Sequence, residues 1–213
     1  MKTQYKDSQF TLRPEQVFQL INASKNLRDK LIVESCYFPA LRRFEVAKMQ
    51  VKDIDFDDNV IHVVGKGGKQ SPIPVGVVYP QYMSDLKHYL EFIKRKDGYL
   101  FSNSGKKPLE ISRINQIVND TALVAKMKHP NKKPRKFYNR ISKEVKETER
   151  QINPHLLRHS QARHLKDLGF NVEFIKNYMR HEKIGTTMDL YGTMSIQDMK
   201  RIASEKMGLI EYK

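Results

Sequence analysis

Five side chains in the last third of the chain supply the residue types that phosphodiester chemistry needs. His155, Arg158 and His159 occur within one short segment, and His181 and Tyr191 follow a helix-like run. A guanidinium group binds two phosphate oxygens through its planar fork, and imidazole transfers protons near neutral pH. A tyrosine hydroxyl can attack phosphorus covalently. We therefore predict that Tyr191 attacks a phosphodiester in a pocket built partly from this segment.

Two upstream residues could complete that pocket, Arg42 and Lys66. Cleavage without a metal needs charge stabilisation on the non-bridging oxygens, an in-line nucleophile, and groups that accept and donate protons. Lys66 lies in Gly65-Lys66-Gly-Gly-Lys69, which on its own is typical of a plain hairpin turn. The glycine spacing and Gln70 exclude a nucleotide-binding P-loop.

The histidine pair His155 and His159, four residues apart, also allows a zinc interpretation. However, His-Leu-Leu-Arg-His lacks the glutamate of the metalloprotease motif, and the sequence suggests no third ligand. We therefore expect no metal and no other cofactor, and we assign His159 and His164 to packing or capping. The lone Cys36 lies in an apolar segment and is predicted to be an inert core residue.

Taken in order, these residues resemble the tyrosine recombinase (phage integrase) family. Its first box is usually Gly-Leu-Arg-x-x-Glu, its second contains His-x-x-Arg, and Leu-Gly-His and the nucleophile segment follow. The similarity covers roughly residues 12–203. The matching segments here are Ala40–Glu45, Lys66 in the β-hairpin position, His155–His159, Met179–His181 and Thr186–Gly192.

The resemblance implies a role for each catalytic candidate. Arg42 and Arg158 would clamp the scissile phosphate, and His155 would assist proton transfer to and from the nucleophile. Lys66 would protonate the departing 5′ oxygen. Tyr191 would form a 3′-phosphotyrosyl link that a 5′ hydroxyl later attacks.

Two further roles follow from the resemblance. His181 would hydrogen-bond a phosphate oxygen, and Glu45 would orient Arg42 or a histidine. The chain also departs from the family pattern, because Ala40 and Arg180 each stand where glycine is usual. Arg43 and Phe44 also follow Arg42 where small or aliphatic residues are commoner, so Arg42 is the preferred first arginine and Arg43 competes with it. Arg180 either adds positive charge beside the pocket or marks a changed backbone angle.

The formal charge of +15 favours a polyanionic partner, nucleic acid first and an anionic membrane surface second. The family resemblance implies double-stranded DNA. A basic insertion spans residues 127–149, and its prolines and charges favour a loop with a short helix near 142–148. That insertion is either solvated or in contact with the DNA backbone. The candidate DNA-binding residues are Lys69, Lys132, Lys133, Arg135, Lys136 and Arg180. No apolar run approaches the ~20 residues of a membrane span, so a cytoplasmic, DNA-associated protein is expected.

Periodicity predicts an α+β fold that is mainly helical, with a small three-stranded antiparallel sheet. Helical spacing covers residues 12–21, 26–38, 41–49, 82–94, 111–125, 155–168 and 172–179, with a helical turn at 184–191. Alternating residues over 51–56, 60–64 and 70–75 predict the sheet, and Pro72 and Pro74 place its last strand at an edge.

The predicted organisation is a polar lead-in over residues 1–11, a tyrosine recombinase catalytic domain over 12–192 and a C-terminal helix or tail over 193–213. Relatives usually carry an N-terminal helical domain before this point, so the chain is either a minimal enzyme or a fragment. The family implies a homotetramer on DNA. The apolar face of the tail either packs on its own domain or docks on a neighbouring subunit.

Three functions are compatible with this sequence. The first is a site-specific DNA recombinase or integrase of a mobile element. The second is an accessory or inactive recombinase-fold protein that binds DNA without cutting it, which Arg180 would favour. The third is a type IB-like topoisomerase. Trapping of a covalent protein–DNA adduct separates the two enzymes from the binding protein.

Overall fold

The computed structural model describes residues 10–64, 70–139, 144–180 and 194–208 of the chain. The fold is mainly helical with a small three-stranded antiparallel sheet, as predicted. The helices are α1 (Pro14–Asn22), α2 (Leu27–Tyr37), α3 (Arg43–Lys48), α4 (Val75–Val78), α5 (Pro80–Ile93), α6 (Ile111–Val124), α7 (Pro154–Asp167), α8 (Val172–Tyr178) and α9 (Ile196–Gly208). The strands are β1 (Ile54–Asp55), β2 (Val60–Val64), β3 (Gln70–Ile73), β4 (Arg135–Asn139) and β5 (Glu144–Thr148). None of the described helices is both long and apolar enough to cross a membrane.

Helix α2 lies at the centre of the core. It contacts α1, α3, α5, α6 and α7, and its residues are buried from Leu31 through Tyr37. A helix that neighbours surround on most sides does not need the single apolar stripe of a surface helix. Cys36 is fully buried in this helix, as predicted. Because α2 ends beside α3 and α7, its C-terminal end is the natural place for residues from both helices to meet.

The segment before α1 is fixed to α7 by a buried hydrogen-bond network. The backbone N–H of Leu12 donates to Ser160 Oγ (2.9 Å). His164 Nε2 lies 2.9 Å from the Leu12 carbonyl oxygen and Nδ1 lies 2.7 Å from the Tyr37 hydroxyl. A carbonyl only accepts, so Nε2 carries the proton and Nδ1 accepts from Tyr37. Burial lowers the pKa of His164, which keeps the ring neutral. The predicted packing role of His164 is therefore confirmed.

The three-stranded sheet has the order β1-β2-β3, with both neighbouring pairs antiparallel. The β1–β2 turn contains Asn59, whose φ of +56° lies in the left-handed region that asparagine tolerates. β3 contains Pro72 and is an edge strand, because proline cannot donate to a second neighbour. Residues 65–69, which follow β2 and include Lys66 and Lys69, lie outside the described residues.

The basic insertion folds differently from the prediction. A short helix near residues 142–148 was expected, but Glu144–Thr148 forms β5, which pairs antiparallel with β4. The register joins Arg135 to Thr148 and Asn139 to Glu144. The prediction was wrong because the charges and prolines obscured two short alternating runs, in which β-branched and aromatic residues favour strands. The insertion is therefore a basic β-hairpin that leads into α7.

Helices α7 and α8 begin and end with strong local signals. Asn153 caps α7 by accepting from the Leu156 N–H (3.0 Å), and Pro154 occupies the first helical position. Gly169 follows α7 with φ of +81°, a left-handed conformation that ends the helix. Asn171 then caps α8 by accepting from the Phe174 N–H (2.7 Å). These caps fix where α7 starts, and therefore where its histidines and arginine point.

The C-terminal helix α9 packs on its own domain. Ser195 caps α9, because its Oγ accepts from the Asp198 N–H (3.1 Å). Met199 and Ala203 are buried in the core, and α9 contacts α4. The predicted apolar face is real, but this intramolecular contact already covers its centre. The structure therefore favours packing in the same subunit over docking of this helix on a neighbour.

Candidate active site

Arg42 stands immediately before α3 and is tied to it by Glu45. The Glu45 carboxylate accepts from the Arg42 backbone N–H (2.6 Å), which caps the helix. The same carboxylate accepts from Arg42 Nη1 (2.9 Å). Arg42 Nη2 donates to the Arg180 carbonyl (3.0 Å). Glu45 thus orients the Arg42 guanidinium. The Arg42 side chain remains 36% exposed, and the neighbouring Arg43 is exposed.

Arg158 approaches the same place from the second turn of α7. It is buried, and its two terminal nitrogens donate to the carbonyl oxygens of Ala40 and Met179. Ala40 precedes α3, and Met179 follows α8. Arg158 therefore joins three segments that are far apart in sequence. The structure brings Arg42 and Arg158 together as the sequence predicted.

The Arg180 side chain is buried beside Glu45, a position that was not predicted from the sequence. Its side chain is only 7% exposed and donates to Glu45 Oε2 (2.7 Å). It also donates to three carbonyl oxygens, those of Pro39 (3.3 Å), Tyr178 (3.1 Å) and Ala40 (3.2 Å). The sequence predicts that this side chain contacts DNA. The structure instead directs it into the protein, where three carbonyls and a carboxylate accept from its terminal nitrogens. Its buried Nε has no hydrogen-bond partner among the described residues.

Arg42, Arg158, Arg180 and Glu45 form one connected group, here called the arginine cluster. Glu45 accepts from Arg42 and Arg180, and the Ala40 carbonyl accepts from Arg158 and Arg180. Three guanidinium groups and one carboxylate leave a surplus of two positive charges among these described side chains. Buried charges are costly unless they are paired. A phosphate bound against the exposed side of Arg42 would reduce that cost.

The pKa shifts in the arginine cluster have identifiable physical causes. Burial, followed by the charges of Arg180 and Arg42, lowers the pKa of Arg158 to about 9. Burial also lowers the pKa of Arg180. Burial acts to raise the pKa of Glu45, but the charge of Arg180 and the hydrogen bonds and charge of Arg42 outweigh it and leave that pKa below its usual value. Near neutral pH Arg158 is therefore protonated and Glu45 is ionised.

Two backbone positions beside the arginine cluster adopt left-handed conformations without glycine. Ala40 has φ of +50° and Arg180 has φ of +51°. A non-glycine residue in this region costs about 1–2 kcal/mol. At both positions the tyrosine recombinase family usually has glycine, which adopts a positive φ without strain. The backbone here keeps that positive φ although the residues are alanine and arginine. The sequence left open whether Arg180 adds positive charge beside the pocket or marks a changed backbone angle. The structure shows both, because its backbone is left-handed and its guanidinium points into the arginine cluster.

His155 and His159 lie one turn apart on α7. Their Nε2 atoms are 2.7 Å apart, and the ring centroids are 4.2 Å apart in an edge-to-face arrangement. One nitrogen must donate and the other accept, so the pair shares a single proton in this contact. His155 is exposed and Arg158 follows three residues later on α7, so both can face one substrate. The contact between His155 and His159 was not predicted, although their four-residue spacing places them on the same face of a helix.

The remaining catalytic predictions fall outside the described residues. These are Lys66, His181 and Tyr191, together with the DNA-binding candidate Lys69 and the helical turn predicted at residues 184–191. Across the described part of the chain, no group of three or more metal-ligating side chains lies close enough to hold a metal ion.

The basic hairpin presents its described cations to solvent. The side chains of Lys132, Lys133, Arg135 and Lys136 are exposed. Lys136 Nζ lies 2.8 Å from Glu147 Oε1, and this hydrogen bond raises the pKa of Lys136. The Arg150 guanidinium donates to the Lys133 carbonyl (3.1 Å) and ties the base of the hairpin together. Three of these four cations therefore have no carboxylate within ion-pair distance among the described residues.

Comparison with known protein sequences gives one consistent result. The sequence profile of the phage integrase family matches residues 11–196. Tyrosine recombinase XerA of Pyrococcus horikoshii is 27% identical over 202 residues, which cover 94% of this chain and 62% of the relative. Transposase A from transposon Tn554 of Staphylococcus aureus is 29% identical over 223 residues, covering 95% of this chain and 54% of the relative. The chain thus spans little more than half the length of these curated relatives.

Solved structures have the same fold. The crystal structure of XerA recombinase superposes with a TM-score of 0.64 at 20% identity, covering 92% of this chain and 65% of that one. A lambda integrase tetramer bound to a Holliday junction gives a TM-score of 0.59 at 14% identity, covering 81% and 47%. The predicted fold, a tyrosine recombinase catalytic domain, is therefore confirmed.

Proposed function

Because the chain belongs to the phage integrase family, we propose that it is the catalytic domain of a site-specific DNA recombinase or integrase. It cleaves and rejoins DNA strands through a 3′-phosphotyrosyl intermediate on Tyr191. The observation that carries this proposal is the positive surplus of the arginine cluster. Arg42 and Arg158 meet there, and their order in the sequence is the one that the family resemblance implies.

The arginine cluster fits the charge that develops during phosphoryl transfer. When the tyrosine oxygen attacks phosphorus, negative charge spreads over the non-bridging oxygens. Preorganised guanidinium donors stabilise that charge most strongly where little water competes. Each terminal nitrogen of Arg42 has one described partner and carries a second hydrogen that can bind a phosphate oxygen. Glu45 holds that guanidinium in place before substrate arrives.

The proposed steps balance without a metal or redox cofactor. The Tyr191 oxygen forms a bond to phosphorus as the bond to the 5′ oxygen breaks, and Lys66 gives a proton to that leaving oxygen. His155 assists removal of the tyrosine proton, and His181 hydrogen-bonds a non-bridging oxygen. The phosphotyrosyl bond conserves the energy of the original linkage, so a 5′ hydroxyl can reverse the step on a partner strand.

The proposed partner is double-stranded DNA, bound by a homotetramer. A solved relative of the same fold forms a tetramer on a Holliday junction, and strand exchange between two duplexes needs four cleavages. The exposed lysines and arginine of the basic hairpin would bind the DNA backbone, since such contacts position a protein without reading sequence. We expect the protein to work on DNA in the cytoplasm.

A nicked-substrate experiment tests the proposed function. DNA sequences that the protein binds are first selected from a pool of randomised duplexes, and nicks are then placed at successive positions. Cleavage near a nick releases a short strand that diffuses away, so the covalent intermediate accumulates. We expect a denaturation-resistant adduct with the wild-type chain and none with Tyr191→Phe, which should bind the same DNA within a few-fold.

The other outcomes identify the competing functions. Sequence-selective binding with no adduct from any nicked duplex would indicate an accessory DNA-binding protein. An adduct accompanied by relaxation of supercoiled DNA, with no recombinant product from paired sites, would indicate a topoisomerase. An adduct that persists in Tyr191→Phe would assign the nucleophile to another residue.

A further inference from the structure

We propose that Arg180 is a positioning residue that holds Arg42 and Arg158 at a fixed separation by fastening two turns of the backbone together. This inference rests on the proposed function of the arginine cluster. The first turn comprises Phe38–Leu41, between α2 and α3, and the second comprises Tyr178–Arg180 at the end of α8.

Both phosphate-binding arginines are held by carbonyls of these two turns. Arg158 donates to Ala40 in the first turn and to Met179 in the second. Arg42 leads out of the first turn and donates to the Arg180 carbonyl in the second (3.0 Å). The separation of the two turns therefore determines the separation of the two guanidinium groups.

The Arg180 side chain spans the gap between the turns. It donates to the Pro39 and Ala40 carbonyls (3.3 and 3.2 Å) across the gap and to the Tyr178 carbonyl (3.1 Å) on its own side. It also donates to Glu45 Oε2 (2.7 Å), the carboxylate whose other oxygen holds Arg42. A planar fork with several fixed donors can make these bonds at once, which a single ammonium cannot.

Burial separates this role from DNA binding. The Arg180 side chain is 7% exposed, compared with 36% for Arg42. Four oxygen atoms of the protein already accept from its terminal nitrogens. Arg180 therefore acts on DNA through Arg42, Arg158 and Glu45.

The backbone conformation at Arg180 allows its side chain to be removed without straining the backbone. Its φ of +51° is a conformation that glycine adopts without strain. Arg180→Gly thus removes the side chain and keeps the backbone shape favourable. Arg180→Lys keeps the positive charge and loses the planar fork. Tyr178→Phe removes the hydrogen bond from the Tyr178 hydroxyl to the Phe38 carbonyl (2.9 Å), a link between the same turns that does not involve Glu45.

Single-turnover cleavage of a nicked duplex at saturating protein is measured for each variant, together with DNA affinity and thermal unfolding. We expect both Arg180→Gly and Arg180→Lys to cleave about 10- to 100-fold more slowly, because small displacements of positioning groups have large effects on rate. Their DNA affinity should stay within about threefold. Tyr178→Phe should slow cleavage less than either Arg180 variant, because it removes one link between the turns and leaves the hydrogen bonds of Arg180 in place. Combining Arg180→Gly with Glu45→Gln should slow cleavage less than the product of the two single effects, since both act through Arg42.

Several results would overturn the proposal. Full activity of Arg180→Lys, combined with weakened DNA binding by Arg180→Gly, would make Arg180 a direct DNA contact. Unchanged cleavage by folded Arg180→Gly and Arg180→Lys, even with a lower unfolding temperature, would make it a purely structural residue. If Arg180→Gly does not fold, Arg180→Lys decides between these alternatives. If the wild-type chain forms no adduct on any selected DNA, the proposed function fails and this inference fails with it.

Discussion

Two clusters of buried charge lie beside helix α2, and they have opposite surpluses. The arginine cluster near the C-terminal end of α2 has three guanidinium groups and one carboxylate. The second, here called the acidic cluster, comprises Lys30 and Glu34 on α2 and Asp85 on α5. Lys30 Nζ lies 2.6 Å from Asp85 and 3.5 Å from Glu34, so one cation faces two carboxylates.

The acidic cluster can remove its surplus by binding a proton. Burial, partly opposed by Lys30, raises the pKa of Glu34 to about 7. The Glu34 Oε2 atom is buried and has no hydrogen-bond partner among the described residues. Near neutral pH a large fraction of Glu34 is therefore protonated, and the cluster approaches one cation with one anion.

The arginine cluster cannot remove its surplus in this way. Even with its pKa lowered to about 9, Arg158 stays protonated at neutral pH, and a guanidinium group holds its proton more firmly than any other side chain. The remaining way to balance the charge is an anion from outside the protein. The difference teaches that a surplus of buried carboxylate marks a site of proton uptake, whereas a surplus of buried guanidinium marks a site for an anionic ligand.

The largest expected effect concerns Arg42. Arg42→Ala should slow single-turnover cleavage of a nicked duplex by about 10²-fold or more, the usual cost of losing one preorganised charge-stabilising donor. Arg43→Ala is the matched control, because Arg43 is the exposed neighbour outside the arginine cluster. It should cleave within a few-fold of wild type. A large loss in Arg43→Ala with a small loss in Arg42→Ala would reverse the assignment of the first arginine.

The next effect tests the acidic cluster. The folded-state pKa of Glu34 is about 7, above its ordinary value of 4.5, so between these values the folded chain binds more protons than the unfolded chain. Its contribution to the free energy of unfolding is therefore present below pH 4.5 and is lost as pH rises through 7, by up to about 3 kcal/mol.

Urea unfolding at pH 5 and pH 8 would measure this contribution. The loss of stability between the two pH values should be smaller in Glu34→Gln than in wild type. Burial lowers the pKa of His164 and gives an opposite slope, which is common to both proteins and cancels in their difference. Equal pH dependence in the two proteins would show that Glu34 does not take up the proton.

The smallest effect concerns exposed charge, in contrast to both buried clusters. Replacing Lys132, Lys133 and Arg135 by glutamine should lower the slope of log affinity against log salt by at most about 0.9 per lost phosphate contact. The cleavage rate at saturating protein should stay the same. Lys136→Gln is the control and should change the slope less, because Glu147 already offsets that charge. An unchanged slope in the triple variant would show that these hairpin residues remain solvated and do not contact phosphates when DNA is bound.

Sequence patterns predicted the helices where apolar periodicity was clear. Asn153, Gly169 and Ser195 mark helix boundaries through local hydrogen bonds and backbone angles, which depend on few neighbours. The basic hairpin was missed because its strands are short and mostly charged. The packing of α9 was left undecided because an apolar face does not specify which surface covers it.

The sequence predicted that Arg42, Glu45 and Arg158 belong to one site and that Glu45 orients Arg42 or a histidine, but it did not predict the links through Arg180. The resemblance to the family motifs identified Arg42, Glu45 and Arg158. The inward course of Arg180 depends on a left-handed backbone angle and on carbonyls from residues about 140 positions away in sequence. No local pattern encodes such a contact. It emerges when α2, α3, α7 and α8 pack together.

Mapping the covalent adduct tests the central claim most directly. Wild type, Arg42→Ala, Glu34→Gln and Tyr191→Phe are each incubated at neutral pH with a nicked duplex containing the selected site, and any DNA-linked peptide is identified by mass spectrometry. The account predicts a link on Tyr191 in wild type and in Glu34→Gln, a loss of about 10²-fold in Arg42→Ala, and none in Tyr191→Phe. A link on another residue, or equal yields from wild type and Arg42→Ala, would contradict it.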